Sequence, residues 1–175
     1  MLITILAILA ALVLGVLVLA ATKPKTFRYE RRARIAAAPE KVVALLNDFH
    51  HWSAWSPWEK LDPAMQRTHR GAAAGVGAIY EWSGNKKAGS GRMEVLAATP
   101  TLVKIQLDFI TPFKAHNLTE FAVVANGAAS DVVWAMYGES PFVSRLMSVF
   151  INLDKMIGKD FEAGLVNLNR LASAH

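Results

Sequence analysis

Residues 102–109 read Leu-Val-Lys-Ile-Gln-Leu-Asp-Phe. Apolar and polar side chains alternate, and successive side chains of a strand point to opposite faces of its sheet. Val103, Ile105, Leu107 and Phe109 therefore share one face, and Lys104, Gln106 and Asp108 share the other. A strand with one apolar and one polar face belongs to an antiparallel sheet buried on one side only.

The same period extends outward from this segment. Tyr80 and Trp82 fall on one face, as do Val132, Trp134 and Met136. Asn117 and Thr119 share a face with Phe121 and Val123, which places two polar groups on an otherwise apolar side. Gly71, Gly75-Val76-Gly77, Gly84-Asn85, Gly89-Ser90-Gly91, Thr99-Pro100, Pro112 and Asn126-Gly127 punctuate residues 65–138 into about six strands. Asn126-Gly127 between alternating runs is the strongest hairpin signal in the chain.

Upstream, residues 26–37 read as a first strand carrying Phe27, Tyr29 and Ile35. Pro39 suits the first position of a helix, Glu40 its first turn, and Val42, Val43, Leu45 and Leu46 its apolar side. A tryptophan-rich stretch follows, from Trp52 through Trp55 to Trp58. Downstream, Ser140 and Pro141 open one long helix. Its stripe is Leu146, Phe150, Leu153, Ile157, Phe161, Gly164, Leu168 and Leu171, with Lys155, Lys159, Glu162 and Asn169 on the far side. The fold class is α+β: a sheet with its helices on one face, covered by a long C-terminal helix.

The first 22 residues are different. Met1 to Thr22 carries no charge and is mostly Leu, Ile, Val and Ala. About 20 such residues in a helix span roughly the 30 Å of a bilayer core. No Lys or Arg precedes the run and Leu19-Ala20-Ala21 is only a fair cleavage site, so an uncleaved anchor is expected rather than a signal peptide. The expected domains are residues 1–22 as transmembrane anchor and residues 23–175 as one soluble α+β domain.

Lys23, Lys25, Arg28, Arg31, Arg32 and Arg34 follow directly, against Glu30 alone. Nineteen Lys and Arg less these six, and fourteen Asp and Glu less Glu30, leave thirteen of each. The net charge of +5 thus belongs to the exit of the anchor and not to the domain. A nucleic-acid partner, which needs a basic face on the domain, is not expected. The cluster from Lys23 to Arg34 fits membrane contact, and the positive-inside rule puts the domain on the cytoplasmic side. Part of the cluster also reads as the solvent face of the first strand.

With these residues in place, the chain resembles the SRPBCC or START-like helix-grip superfamily, in its bacterial polyketide cyclase/dehydrase-like branch. The resemblance rests on Ala38-Pro39-Glu40-Lys41-Val42, on Trp52-Ser53-Ala54-Trp55-Ser56-Pro57-Trp58, on Gly75-Val76-Gly77 leading to Tyr80-Glu81-Trp82, on Gly84-Asn85, and on Trp134 with Met136. It covers residues 26–172. It implies a curved sheet gripping the C-terminal helix around an apolar cavity, and ligand binding more than catalysis.

The cavity candidates are Trp52, Trp55, Trp58, Tyr80, Trp82, Phe109, Asn117, Thr119, Trp134 and Met136. Large rigid aromatics suit a cavity wall, and indole N–H groups can orient a ligand. Core packing is the competing reading for each aromatic. Three tryptophans in seven residues look like more than core filling requires, so that stretch is read as a gate or a membrane-interface loop. Glu81, Arg92 and Glu120 suggest a cross-strand charge cluster on the wet face.

His50-His51, His69, His116 and His175 show no metal-ligand spacing, and there is no cysteine. No metal, cofactor or catalytic group is expected, although His51 is retained as a weak acid/base candidate. The Gly84–Ser90 segment lacks a phosphate loop's Lys and leads into a strand, so it reads as a hairpin. The leading expectation is membrane-anchored binding of a hydrophobic ligand, lipid-like, quinone-like or polyketide-like. A cyclase/dehydrase-type enzyme and a co-chaperone-like interaction module are the alternatives.

Overall fold

The computed structural model describes residues 1–174; His175 lies outside the described residues. An apolar helix, α1 (Leu2–Thr22), leads into strand β1 (Thr26–Ile35). Helix α2 (Pro39–Asn47) follows, then a short helical turn, helix α3 (Trp52–Trp55) and a second turn. Six strands come next: β2 (Gln66–Gly71), β3 (Ala78–Ser83), β4 (Ser90–Thr99), β5 (Leu102–Thr111), β6 (Ala115–Asn126) and β7 (Ala129–Glu139). Helices α4 (Phe142–Phe150) and α5 (Leu153–Ser173) close the chain.

The strands form one antiparallel sheet in the order β1-β7-β6-β5-β4-β3-β2. Asn126 pairs with Ala129 across the Asn-Gly hairpin, where Gly127 takes the positive φ of 63° that L side chains avoid. Val103 and Ile105, Phe121 and Val123, and Val132 and Trp134 are buried on the inner face. The outer face carries ion pairs: Arg70–Glu81 at 2.9 Å, Arg92–Glu94 at 2.6 Å and Lys104–Glu120 at 3.3 Å. Glu81 lies opposite Arg92 in register, but each carboxylate of the expected cluster has its own partner instead of a shared one.

The single long helix expected from Ser140 is two helices. The chain leaves helical geometry at Ile151 and Asn152, and the Asn152 side chain accepts from the Lys155 N–H at 2.9 Å, starting α5 afresh. The gripping helix is therefore α5, with Phe161, Leu165, Leu168 and Ala172 buried beneath it. Leu146 and Phe150 are not part of its stripe; Phe150 is 71% exposed. Glu162 and Asn169 do not face away either. Glu162 accepts from Arg31 at 2.9 Å, and Asn169 accepts from the Ala36 N–H at 2.8 Å, so both join α5 to the end of β1.

The basic run divides in the same way. Arg28 and Arg32 both pair with Glu30 on the outer face. Arg31 points inward, reaching Asp154 at 3.1 Å as well as Glu162. Gly158 gives it room, since a Cβ there would collide with the guanidinium.

Helix α1 is long and apolar enough to cross a membrane. Most of its large side chains are exposed, while Ala20, near its end, is buried. The joint to the domain is tight: the Ser140 N–H donates to the Lys25 carbonyl at 2.7 Å.

Candidate ligand-binding site

Between the inner sheet face and α5 lies a cavity of about 470 Å³. That volume suits a drug-sized or lipid-like molecule. Its wall is mostly apolar, from Phe27, Met93, Leu107, Ile157 and Phe161 among others.

Nine of the ten residues singled out in the sequence line it: Trp52, Trp58, Tyr80, Trp82, Phe109, Asn117, Thr119, Trp134 and Met136. Trp55 does not. It is fully buried behind the wall, with its ring 5.5 Å from Trp134 and 6.0 Å from Phe121. Trp52 is also buried, 4.8 Å from Trp55, and its indole donates to the Leu46 carbonyl at 3.1 Å. Trp52 and Trp55 are thus core rather than an exposed gate or interface loop. Burying two indoles under Phe121 is what folds this segment into a short helix, because each ring removes a large apolar area from water.

Trp134 is the hub of the wall. It stacks flat on Phe161 of α5, 4.3 Å between centroids, and meets Trp58 edge-on at 5.6 Å. Gly164 allows the approach: a Cβ there would lie 2.7 Å from the Trp134 ring. The Trp134 indole donates to the Thr119 hydroxyl at 3.0 Å, and that hydroxyl donates to the Ala135 carbonyl at 2.9 Å. Thr119 is thereby satisfied within the protein. Asn117 differs, since its Oδ1 is buried with no hydrogen-bond partner among the described residues. Burying an unpaired acceptor costs roughly 1–3 kcal/mol.

Sequence reasoning missed two carboxylates. Glu59, in the turn before Leu61, accepts from the Tyr80 hydroxyl at 2.5 Å and from Arg67 Nε at 2.6 Å. Burial first, and then the hydrogen bond to Glu59, push the Tyr80 phenol above its ordinary value. Asp160, on the cavity side of α5, makes no ion pair among the described residues. Burial pushes its carboxyl above the usual aspartate value, against an opposing effect of the Trp58 indole. Nothing local marks either residue in the sequence: the partners of Glu59 lie 8 and 21 positions away. His51 is half exposed and sits beside Asp48, away from the cavity wall. Among the described residues no group of His, Asp and Glu is placed to hold a metal ion.

The arrangement can enclose an apolar body and meet it with a few polar residues: Asn117 in the wall, a carboxyl on the gripping helix and a phenol–carboxylate pair. Comparison with known proteins agrees on the fold. The structure is similar to a ginseng (Panax ginseng) major latex-like protein, with 12% identity, a TM-score of 0.60, and 86% of this chain and 100% of that one covered. It is similar to the ZhuI aromatase/cyclase of a Streptomyces species, with 14% identity, a TM-score of 0.59, and coverage of 84% and 93%. A Chromobacterium violaceum protein is 16% identical, with a TM-score of 0.60 and coverage of 87% and 100%. No curated protein matches the sequence. The family described as polyketide cyclase / dehydrase and lipid transport matches residues 26–173, all of the sheet and its gripping helix. The chain belongs to that family, within the SRPBCC helix-grip superfamily.

Proposed function

We propose that this protein binds a hydrophobic small molecule in the sheet–helix cavity while α1 tethers it to a membrane. The cavity carries the reading: about 470 Å³ of apolar space remains in a domain otherwise packed by stacked aromatics. Each ligand methylene buried there contributes about 0.8 kcal/mol. The Asn117 amide and the Asp160 carboxyl favour a ligand with at least one hydroxyl or N–H group.

The tether reading rests on a helix of 21 residues with no charge and with its large side chains outward. Lys23 and Lys25 follow it, and neither has an ion-pair partner among the described residues. Against anionic headgroups each would add about 1 kcal/mol. By the positive-inside rule the domain then lies on the cytoplasmic side. Native mass spectrometry of the full chain, purified in detergent, tests the reading. A hydrophobic molecule should co-purify and be lost from Met136→Trp, which fills the cavity. Repeated recovery of empty protein would overturn it.

An enzyme is the second reading, favoured by Glu59, Tyr80 and Asp160 at the wall of one cavity. Conversion of a poly-β-carbonyl substrate by the wild type, abolished in both Glu59→Gln and Asp160→Asn, would establish it. A co-chaperone-like interaction module calls for a small or collapsed cavity and an exposed apolar patch on the sheet. The open cavity and the ion-paired outer face support neither feature.

A further inference from the structure

Helix α4 is amphipathic in the wrong sense for a water-soluble protein. Ser144, Arg145 and Ser148, at i, i+1 and i+4, point toward the protein: Ser144 lines the cavity and Arg145 bonds to the end of α1. Val143, Met147 and Phe150 point outward and are 51%, 41% and 71% exposed. A surface helix in water shows the opposite arrangement. An exposed apolar stripe of this kind needs a cover.

The position of the helix says what covers it. The element packed on α1 is α4, and the residues α1 turns inward are Val16 and Ala20, one helical turn apart. Val16 precedes Thr22 by six residues, about 9 Å of helix. If α1 spans the bilayer, α4 is level with its last turns, among the acyl chains just under the headgroups. Interfacial helices bury to a depth of roughly 5–10 Å, which agrees. The cavity extends to the same end. Ser144 of α4, Thr111 and Pro112 of the β5–β6 turn and Met156 of α5 all contribute to its wall. Beside them Ile110 and Phe113 project, 53% and 65% exposed.

We propose that α4 lies embedded in the acyl-chain layer beside the end of α1, and that the cavity opens between α4 and the β5–β6 turn into that layer. A hydrophobic ligand dissolved in the membrane then reaches the cavity without crossing water. The inference rests on the reading of α1 as an anchor. The occupant of the apolar face is lipid, because α1 continues the same surface into the bilayer.

The chain has no cysteine, so single cysteines can be placed in the full-length protein and labelled with an environment-sensitive fluorophore. The probes are Val143→Cys, Phe150→Cys and Phe113→Cys, with Leu9→Cys in mid-α1 and Ala128→Cys on the distal β6–β7 hairpin as references. Each labelled protein, its fold checked by circular dichroism, is reconstituted in phosphatidylcholine–phosphatidylglycerol vesicles. Quenching by doxyl-labelled lipids is compared with quenching by aqueous iodide. Labels at 143, 150 and 113 should lose intensity to the lipid quencher and resist iodide, as at position 9, while position 128 should behave oppositely. Iodide quenching at 143 and 150 with lipid quenching at 9 overturns this inference and leaves the anchor standing. Resistance to both quenchers at 143 and 150 shows a protein cover, such as a second copy, and also overturns it. Iodide quenching at 113 alone overturns the proposed mouth. Iodide quenching at position 9 overturns the anchor and this inference together.

Discussion

Arg145 holds the end of a helix that lies 124 residues away from it in sequence: its Nη1 donates to the Ala21 carbonyl at 3.2 Å. The last turn of α1 contains no basic residue of its own, and Arg145 of α4 joins the C-cap Lys23 as a cation at its C-terminal dipole. Phe142 lies under the same guanidinium, 5.4 Å from its ring centre. Arg145→Ala should remove about 0.3–1 kcal/mol of this stabilisation, equivalent to a two- to five-fold rise in local opening. Trypsin cleavage after Lys25, followed by mass spectrometry on the full chain, reads that rise. An unchanged cleavage rate would show that the contact holds nothing in place.

Gly164→Ala tests the approach of α5 to the sheet. The new Cβ would sit 2.7 Å from the Trp134 ring, itself stacked on Phe161, and 3.2 Å from Pro57. Overpacking of this kind costs about 1–3 kcal/mol. The urea midpoint, followed by tryptophan fluorescence, should fall accordingly. A midpoint equal to that of the wild type would show that the α5–Trp134 contact yields freely.

Glu59→Gln keeps the shape of the side chain and removes its charge. Both the hydrogen bond and the charge of Glu59 hold the Tyr80 phenol above its ordinary value of about 10. Its titration should therefore move down in the variant. Phenolate absorbance measures this at alkaline pH, with Tyr80→Phe identifying the signal against Tyr29 and Tyr137. No movement would mean that burial alone sets the value.

Asp160 makes stability depend on pH in the direction opposite to that of a salt-bridged carboxylate. Its pKa is raised in the folded state, so the folded protein holds the proton more tightly than the unfolded chain. Its destabilising effect is absent below the ordinary aspartate value of about 3.9 and grows as pH rises through the raised value. Asp160→Asn should melt higher than wild type at pH 7, with the difference vanishing in acid. Thermal scans across pH read it, and equal melting points at every pH would sink the argument.

The alternation of Val103 to Phe109 and of Asn117 to Val123 made the inner face of the sheet legible, because period 2 is a property of the strand itself. Most of the wall residues singled out followed from it, as Tyr80, Trp82, Phe109 and Trp134 are strand residues on that face. Less legible was what depends on tertiary partners. Trp52 and Trp55 resembled a loop because nothing nearby in sequence shows that Phe121 receives them. Nothing in the sequence singles out Glu59 or Asp160, for the same reason. The break at Asn152 did leave a signal, an Asn directly before Leu153, but the stripe of apolar residues runs across it. The spacing continues across the break, yet Phe150 is exposed and Phe161 is buried.

The bond between the Ser140 N–H and the Lys25 carbonyl leaves little free chain between α1 and the sheet. With the tether and the lipid-facing mouth proposed above, this turns ligand capture into a problem in two dimensions. A cavity held at a fixed height meets only molecules diffusing laterally in the same leaflet. Its occupancy then follows the mole fraction of ligand among the lipids, and a compound almost insoluble in water can saturate it.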